Sequence, residues 1–137
     1  MAKPINTRTE RKTIEVPRDQ WNLFLTEFTR ANRGAHARLS VIGPEVNYQV
    51  ETEDKPFDGV SADVKDRNCT AWITFGTTPA EHFAHGVQNV AYIRALPASE
   101  SSGGVLEVEA KDGVQTLLEL SRAAEYALPP GERGSRQ

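Results

Sequence analysis

The stretch RDQWNLFLTEFTRANRGAHARLSVI, residues 18–42, decides the fold because its hydrophobic period changes halfway along. In the first half, apolar side chains recur at the spacing of one helix face. That set comprises Trp21, Phe24, Leu25, Phe28 and Ala31. Gly34 is placed to end the helix in the left-handed conformation. From His36 onward, polar and apolar residues alternate, which is typical of a half-buried strand. The stretch therefore predicts an amphipathic helix followed directly by a β-strand.

Short extended segments separated by turn residues account for most of the remaining chain. The predicted strands cover residues 37–41, 46–50, 69–75, 90–93, 105–110 and 114–120, with 13–16 and 60–65 as further candidates. Residues 55–59 are interpreted as a loop. Thr78-Pro79-Ala80-Glu81 has the form of a capping box, which predicts a helix of about two turns that ends at Gly86. The sum predicts an α+β fold, in which the N-terminal helix packs on a curled, mainly antiparallel sheet or small open barrel of six to seven strands.

The closing hairpin allows its register to be predicted. Taking Lys111-Asp112-Gly113 as a three-residue loop, with Gly113 left-handed, pairs Ala110 with Val114 and Leu106 with Leu118. One face of the hairpin is then almost entirely apolar. A slip of one residue would expose that face, so the three-residue loop is the predicted turn.

The composition limits the kind of protein. A chain of 137 residues with a net charge of −3 and a single Cys69 suits one soluble domain without a disulfide, and a cytoplasmic location is expected. No apolar run approaches the roughly 20 residues of a membrane helix, and no signal peptide is recognisable. Residues 1–12 are predicted to form a mobile arm, 13–120 the domain, and 121–137 a disordered tail.

Charge is distributed unevenly along the chain. Residues 1–38 carry eight basic and four acidic side chains, a balance of +4, so the remainder carries −7. A basic segment of this kind can bind nucleic acid, or it can pack on the acidic remainder of its own fold or of a second subunit. Nucleic-acid binding is the less favoured alternative, because no aromatic side chain lies between Lys3 and Arg18 to stack on bases.

A metal site is one hypothesis for the pair His82 and His85. On a helix these residues share a face, so both imidazoles would reach one ion such as zinc. Asp63 is the preferred third ligand, and Asp58, Glu81 and His36 are the other candidates. Such an ion would polarise water for hydrolysis. The simpler alternative is that one histidine caps the helix end and the other is solvated.

A second set of candidates consists of polar side chains around the predicted 55–59 loop. Asp58, Ser61, Asp63 and Tyr48 are interpreted as ligand-binding or polar-cluster residues. Acid–base chemistry would require the two carboxylates to meet in a cleft, whereas the Asp58-Gly59 dipeptide also suits an ordinary turn. Cys69 lies in a predicted strand and is interpreted as a core residue, as are Trp21, Phe24 and Phe28.

The segment Phe57-Asp58-Gly59-Val60-Ser61-Ala62-Asp63, then Gly76, then His82-Phe83-Ala84-His85 resembles a family of small bacterial proteins known only as a domain of unknown function. The resemblance covers roughly residues 13–120 and implies a bacterial source, but no activity or cofactor.

Binding or self-association without catalysis is the predicted function, with no cofactor. A metal-binding protein or metal-dependent hydrolase built on His82, His85 and Asp63 is the alternative, and weak nucleic-acid binding is the third hypothesis. The partner is an unidentified protein, a small molecule or a second copy of the chain, since exposed sheet edges favour homodimers.

Overall fold

The computed structural model describes residues 13–45, 48–65, 67–97 and 103–121. The helices and strands are, in chain order, β1 (Ile14–Glu15), a 3-10 turn (Arg18–Gln20), α1 (Trp21–Asn32), β2 (His36–Ile42), β3 (Gln49–Lys65), β4 (Asn68–Phe75), a second 3-10 turn (Pro79–Glu81), β5 (Phe83–Val87), β6 (Val90–Leu96), β7 (Val105–Ala110) and β8 (Gln115–Ser121). The predicted arm at residues 1–12 lies outside the described residues, as does the predicted tail apart from Ser121, which belongs to β8.

The described strands form one sheet of eight, in the order β1-β6-β7-β8-β2-β3-β4-β5, and neighbouring strands pair antiparallel. The α+β class is confirmed, although the strands number eight rather than six or seven. The non-neighbouring strands β4 and β6 approach with Cα atoms within 8 Å, so the sheet curls over its core. It remains open, because the two outer strands β1 and β5 do not pair with each other.

The core lies inside this curl. Ile73, Ile93, Leu106 and Leu118, from four different strands, are fully buried. The last two face each other across β7 and β8, as the hairpin register predicted. Gly113 has a φ of +92°, so the three-residue loop is confirmed as well.

Helix α1 buries Trp21, Leu25 and Phe28, and Gly34 follows it with a φ of +90°, as predicted. Ala31 was expected on the buried face but is exposed, and Asn32 is buried in its place. Burial of this amide is tolerated because its Nδ2 donates to the carbonyl of Phe28 at 2.9 Å.

One edge of β3 is covered by α1. The Thr29 hydroxyl accepts from the Val60 amide at 3.0 Å and donates to the Val60 carbonyl at 3.2 Å. Arg33 Nε donates to the Asp58 carbonyl of the same strand at 2.9 Å. The helix therefore satisfies backbone groups that β3 would otherwise present to water.

The predicted loop at residues 55–59 is wrong, since β3 runs through it as one strand of 17 residues. Its first half pairs with β2 and its second half with β4, so the strand bends where it changes partners. Asp54, at a φ of +66°, and a register shift between Phe57 and Gly59 produce the bend. Turn-forming residues are thus used in bulges within a strand.

The predicted helix from Thr78 to Gly86 is also wrong. Thr78 does cap a turn, accepting from the Glu81 amide at 3.3 Å, but that turn ends at Glu81 as a short 3-10 helix. The chain then extends as β5, where Phe83 lies opposite Phe75 with the two rings stacked at 5.8 Å. Pairing with β4 outweighs the local helix signal.

Candidate functional site

The polar residues predicted around the 55–59 segment do not form one site. Ser61 and Asp63 are exposed on the outer face of β3, opposite Trp72 and Thr70 of β4. Asp58 is half-buried, and its Oδ2 accepts from the Thr74 hydroxyl at 3.1 Å.

Tyr48 lies apart from this group, before the start of β3. Its half-exposed ring is below the guanidinium of Arg38, whose Cζ is 5.6 Å from the ring centroid. The side chain that sequence reasoning grouped with Asp58 therefore belongs to a different part of the surface.

His82 and His85 do not share a helix face, because His82 precedes β5 and His85 lies within it. His82 is exposed, whereas His85 is half-buried opposite Ile73. Within the described part of the chain, no three His, Cys, Asp or Glu side chains are grouped so that they could hold a metal ion. The described residues therefore give the zinc hypothesis no geometric support, and zinc binding stays a prediction.

A cleft of about 710 Å³, here named the sheet-end cleft, opens where β2 ends, β3 begins and the β7–β8 turn lies. Its apolar wall includes Val41, Val87, Ala110 and Val114. Its polar groups include Gln49, Glu51, His85, Lys111 and Asp112. The cleft thus combines an apolar surface with a few polar side chains, as small-molecule sites do.

Two turns hold the cleft in shape. Asn89, between β5 and β6, adopts a φ of +56°, and its carbonyl accepts from the Lys111 amide at 2.8 Å. In the β7–β8 turn, Asp112 Oδ1 accepts from the Val114 amide at 3.0 Å. The β5–β6 turn is therefore tied to the β7–β8 turn across the cleft.

Burial changes the pKa of His85 in the sheet-end cleft. Desolvation lowers the pKa of His85 below its ordinary value, and the nearby carboxylate of Glu51 opposes this shift without cancelling it. The imidazole is therefore neutral at neutral pH. A neutral imidazole offers one donor and one acceptor to a ligand.

A scan against family models matches residues 12–129 to DUF5335, described as a family of unknown function. The chain belongs to this family. The resemblance inferred from the sequence is confirmed, and the matched region extends nine residues beyond the predicted boundary at 120. No match was found among curated proteins or among solved structures. In the described part of this family member, no helix has the length and apolar character needed to cross a membrane.

A second cleft of this family member, of about 620 Å³, is lined by ionic side chains. Arg38 lies between two carboxylates, with Nε 3.4 Å from Glu53 and a terminal nitrogen 3.5 Å from Glu119. His36 Nδ1 is 2.7 Å from Asp54 Oδ1. The sequence does not indicate that His36 meets Asp54, because the bulge at Asp54 that brings the two side chains together has no local sequence signal.

Arginines in the described part of the basic N-terminal segment contact the rest of the fold. Among the described residues, Arg33 lies 3.9 Å from Asp58, and Arg38 contacts Glu53 and Glu119. Arg18 stacks on Trp21 at 4.7 Å and donates to the Arg67 carbonyl. Arg18, Arg33 and Arg38 therefore contact the rest of the fold, whereas the basic side chains of residues 1–12 lie outside the described residues and nucleic-acid binding stays a prediction.

Protonation of His85 is expected to make stability depend on pH. Because the pKa of His85 is lowered in the folded state, the unfolded chain binds this proton at a higher pH. The free energy of unfolding should therefore fall as the pH drops below about 6.5, the ordinary pKa of histidine. His85 should make no contribution to the slope well above that pH, where the imidazole is neutral in both the folded and the unfolded chain.

Urea unfolding at a series of pH values checks this prediction. His85→Gln should lose part of the acid-side slope, whereas the matched variant His82→Gln, at an exposed position, should keep the slope of the unchanged protein. Identical slopes in the unchanged protein and His85→Gln would show that burial does not disfavour the charged imidazole.

Proposed function

We propose that this protein is a non-catalytic domain that binds a small molecule in the sheet-end cleft. The observation that carries the proposal is the half-buried imidazole of His85, which lines a cleft of about 710 Å³ together with an apolar wall. That volume lies within the range of about 300–1,000 Å³ that is usual for ligand sites. The mouth of a curled sheet is also a common position for them.

The charges of the cleft indicate which ligands fit. Glu51 and Asp112 contribute carboxylates, and Lys111 contributes an ammonium group. Both signs are present, so the cleft favours a compact molecule with an apolar body and an uncharged or zwitterionic polar end. A strongly anionic ligand such as a nucleotide would face two carboxylates and one cation.

The surroundings of His85 favour binding over catalysis. A histidine that acts as a general base is normally oriented by a second group that accepts from its other ring nitrogen. Among the described residues, none is hydrogen-bonded to the His85 ring, and Glu51 acts on it only through its charge. The imidazole is thus suited to contacting a ligand through either ring nitrogen.

A bacterial, cytoplasmic setting belongs to the same proposal. The single Cys69 is buried in β4 as a free thiol, and burial raises its pKa. A protein whose single cysteine is buried and unreactive needs no oxidising compartment for disulfide formation.

Blocking the cleft tests the proposal. Gln88 is an exposed residue on the rim, and Gln88→Trp should fill the entrance with an indole. Gln20→Trp is the matched control, because Gln20 is exposed in the first 3-10 turn and does not line the cleft. L-leucine and indole serve as probes, the first zwitterionic and the second uncharged.

The measurement is a titration followed by backbone amide chemical shifts. Binding in the cleft should move the signals of Gly86, Lys111 and Val114 in the unchanged protein and in Gln20→Trp. In Gln88→Trp, affinity for the probe that binds should fall by a factor of at least about 10, equivalent to 1.4 kcal/mol. No shift of these signals with either probe, or equal shifts in all three proteins, would contradict the proposal.

A further inference from the structure

Strand β5 leaves one of its edges open. It is the outermost strand at one end of the sheet and pairs only with β4. In the described part of the chain, the backbone of Phe83–Val87 makes no hydrogen bond beyond that pairing. An open edge presents a row of amide and carbonyl groups to which another strand can bind.

Two other edges of the sheet carry protection. β1 is only two residues long, and its Glu15 lies 3.5 Å from Arg94 of the neighbouring strand. At Asp58 and Val60 the exposed edge of β3 is covered by Arg33 and Thr29 of α1. The fold therefore protects these two edges with devices that β5 lacks.

The sequence of β5 also lacks protective residues. Residues 82–93 contain no Lys, Arg, Asp, Glu or Pro, although charged residues make up 26% of the chain. Charges and prolines are the residues that normally prevent an edge strand from pairing with another chain. An uncharged edge can meet an identical edge without repulsion between like charges.

An apolar surface lies directly beside this edge. On the outer face of the sheet, Trp72 of β4 is 45% exposed. The Trp72 ring covers Gly86, since a Cβ added there would lie 2.7 Å from it. Ala84 is exposed on the same outer face as Trp72 and Gly86, whereas Phe83 and His85 lie on the inner face opposite Phe75 and Ile73. The outer face next to the edge therefore carries one large aromatic side chain and two small residues.

We infer that β5 pairs antiparallel with β5 of a second copy of this chain, across a two-fold axis close to His85. The two sheets then join into one, and each copy offers the same uncharged edge and the same apolar surface, as an isologous interface requires. Because His85, Gly86 and Val87 also line the sheet-end cleft, the second copy lies beside the cleft of the first. The pairing itself does not depend on the cleft binding a ligand.

Charge placed on the edge tests this inference. Ala84→Lys and Ala84→Glu each put like charges across the axis, so each variant alone should be a monomer of 15.1 kDa by light scattering. The unchanged protein should have twice that mass. Ala80→Lys, at an exposed alanine in the second 3-10 turn, is the matched control and should remain a dimer.

Mixing the two variants distinguishes loss of pairing from loss of folding. Equal amounts of Ala84→Lys and Ala84→Glu should recover the dimer mass, because opposite charges then meet across the axis. Amide hydrogen exchange in β5 of the unchanged protein should also slow as its concentration rises. A mass of 15.1 kDa for the unchanged protein at every concentration, a dimer in which β5 amides gain no protection, or no recovery on mixing would overturn the inference.

Discussion

Gly76→Ala is expected to destabilise the protein by about 2–5 kcal/mol, the sum of the cost of a left-handed alanine and that of a forced contact. Gly76 follows β4 with a φ of +103°. A Cβ added there would lie 2.5 Å from the Glu81 carbonyl oxygen and 3.1 Å from the Cα of His82. These are backbone atoms, so relief requires the second 3-10 turn to move. That turn leads into β5, and its displacement would disturb the β4–β5 pairing.

Gly34→Ala separates the two causes of this loss. Gly34 has a similar φ of +90°, but no atom lies within 4 Å of the position of its Cβ. The loss there should be limited to the conformational cost of about 1–2 kcal/mol. Urea unfolding followed by circular dichroism measures both variants. Equal losses at the two positions would show that the contact with Glu81 is relieved without cost.

The elements that the sequence predicted correctly are those decided by nearby residues. Helix α1 follows from apolar spacing, and its end at Gly34 follows from the need for a left-handed residue. The β7–β8 register follows from a single turn, because slipping it by one residue would expose Leu106 and Leu118. In both elements the interactions that decide the structure lie within one helix and its end or within one hairpin.

The elements predicted wrongly are decided by residues distant in sequence. Pro56 and Gly59 indicate a loop when only their neighbours are considered, yet β3 continues through them because its two halves pair with different strands. Likewise, Thr78 and Glu81 satisfy a helix cap locally, but Phe83 stacks on Phe75 of β4 and the chain extends. Long-range pairing outweighed local preference in both segments.

The candidate site was even less accessible from sequence. The sheet-end cleft is assembled from the end of β2, the start of β3, the β5–β6 turn and the β7–β8 turn. Sequence reasoning selected His85, but for a metal site on a helix face that does not exist. Glu51 and Lys111 carried no local signal at all, since their relevance depends on the curl of the sheet.

Ion pairs of the described residues explain part of the uneven distribution of charge along the chain. Two of the described arginines of the basic segment, Arg33 and Arg38, pair with carboxylates of the acidic remainder, namely Asp58, Glu53 and Glu119. Exposed pairs of this kind each contribute little to stability, about 0–1 kcal/mol. The other four basic side chains of the segment lie in residues 1–12, outside the described part of the chain, so nucleic-acid binding by that segment stays a prediction.

Leu25→Ala is expected to cost about 2–5 kcal/mol of unfolding free energy, because the side chain is 1% exposed and its removal leaves a cavity between α1 and the sheet. Leu23→Ala removes the same atoms from the same helix, two residues away, at a position that is 66% exposed. Its effect should lie within about 0.5 kcal/mol of zero, since surface substitutions rarely exceed that and alanine favours the helix.

This matched pair tests whether α1 belongs to the core, because helix propensity changes equally in the two variants. Urea unfolding of both proteins, with the slope against urea concentration compared, gives the difference directly. A large loss for Leu25→Ala alone places the buried face of α1 against the sheet. Equal small losses would mean that the helix is not packed there. The cover that Thr29 provides over the β3 edge would then be absent, and a second edge of the sheet would be exposed to strand pairing.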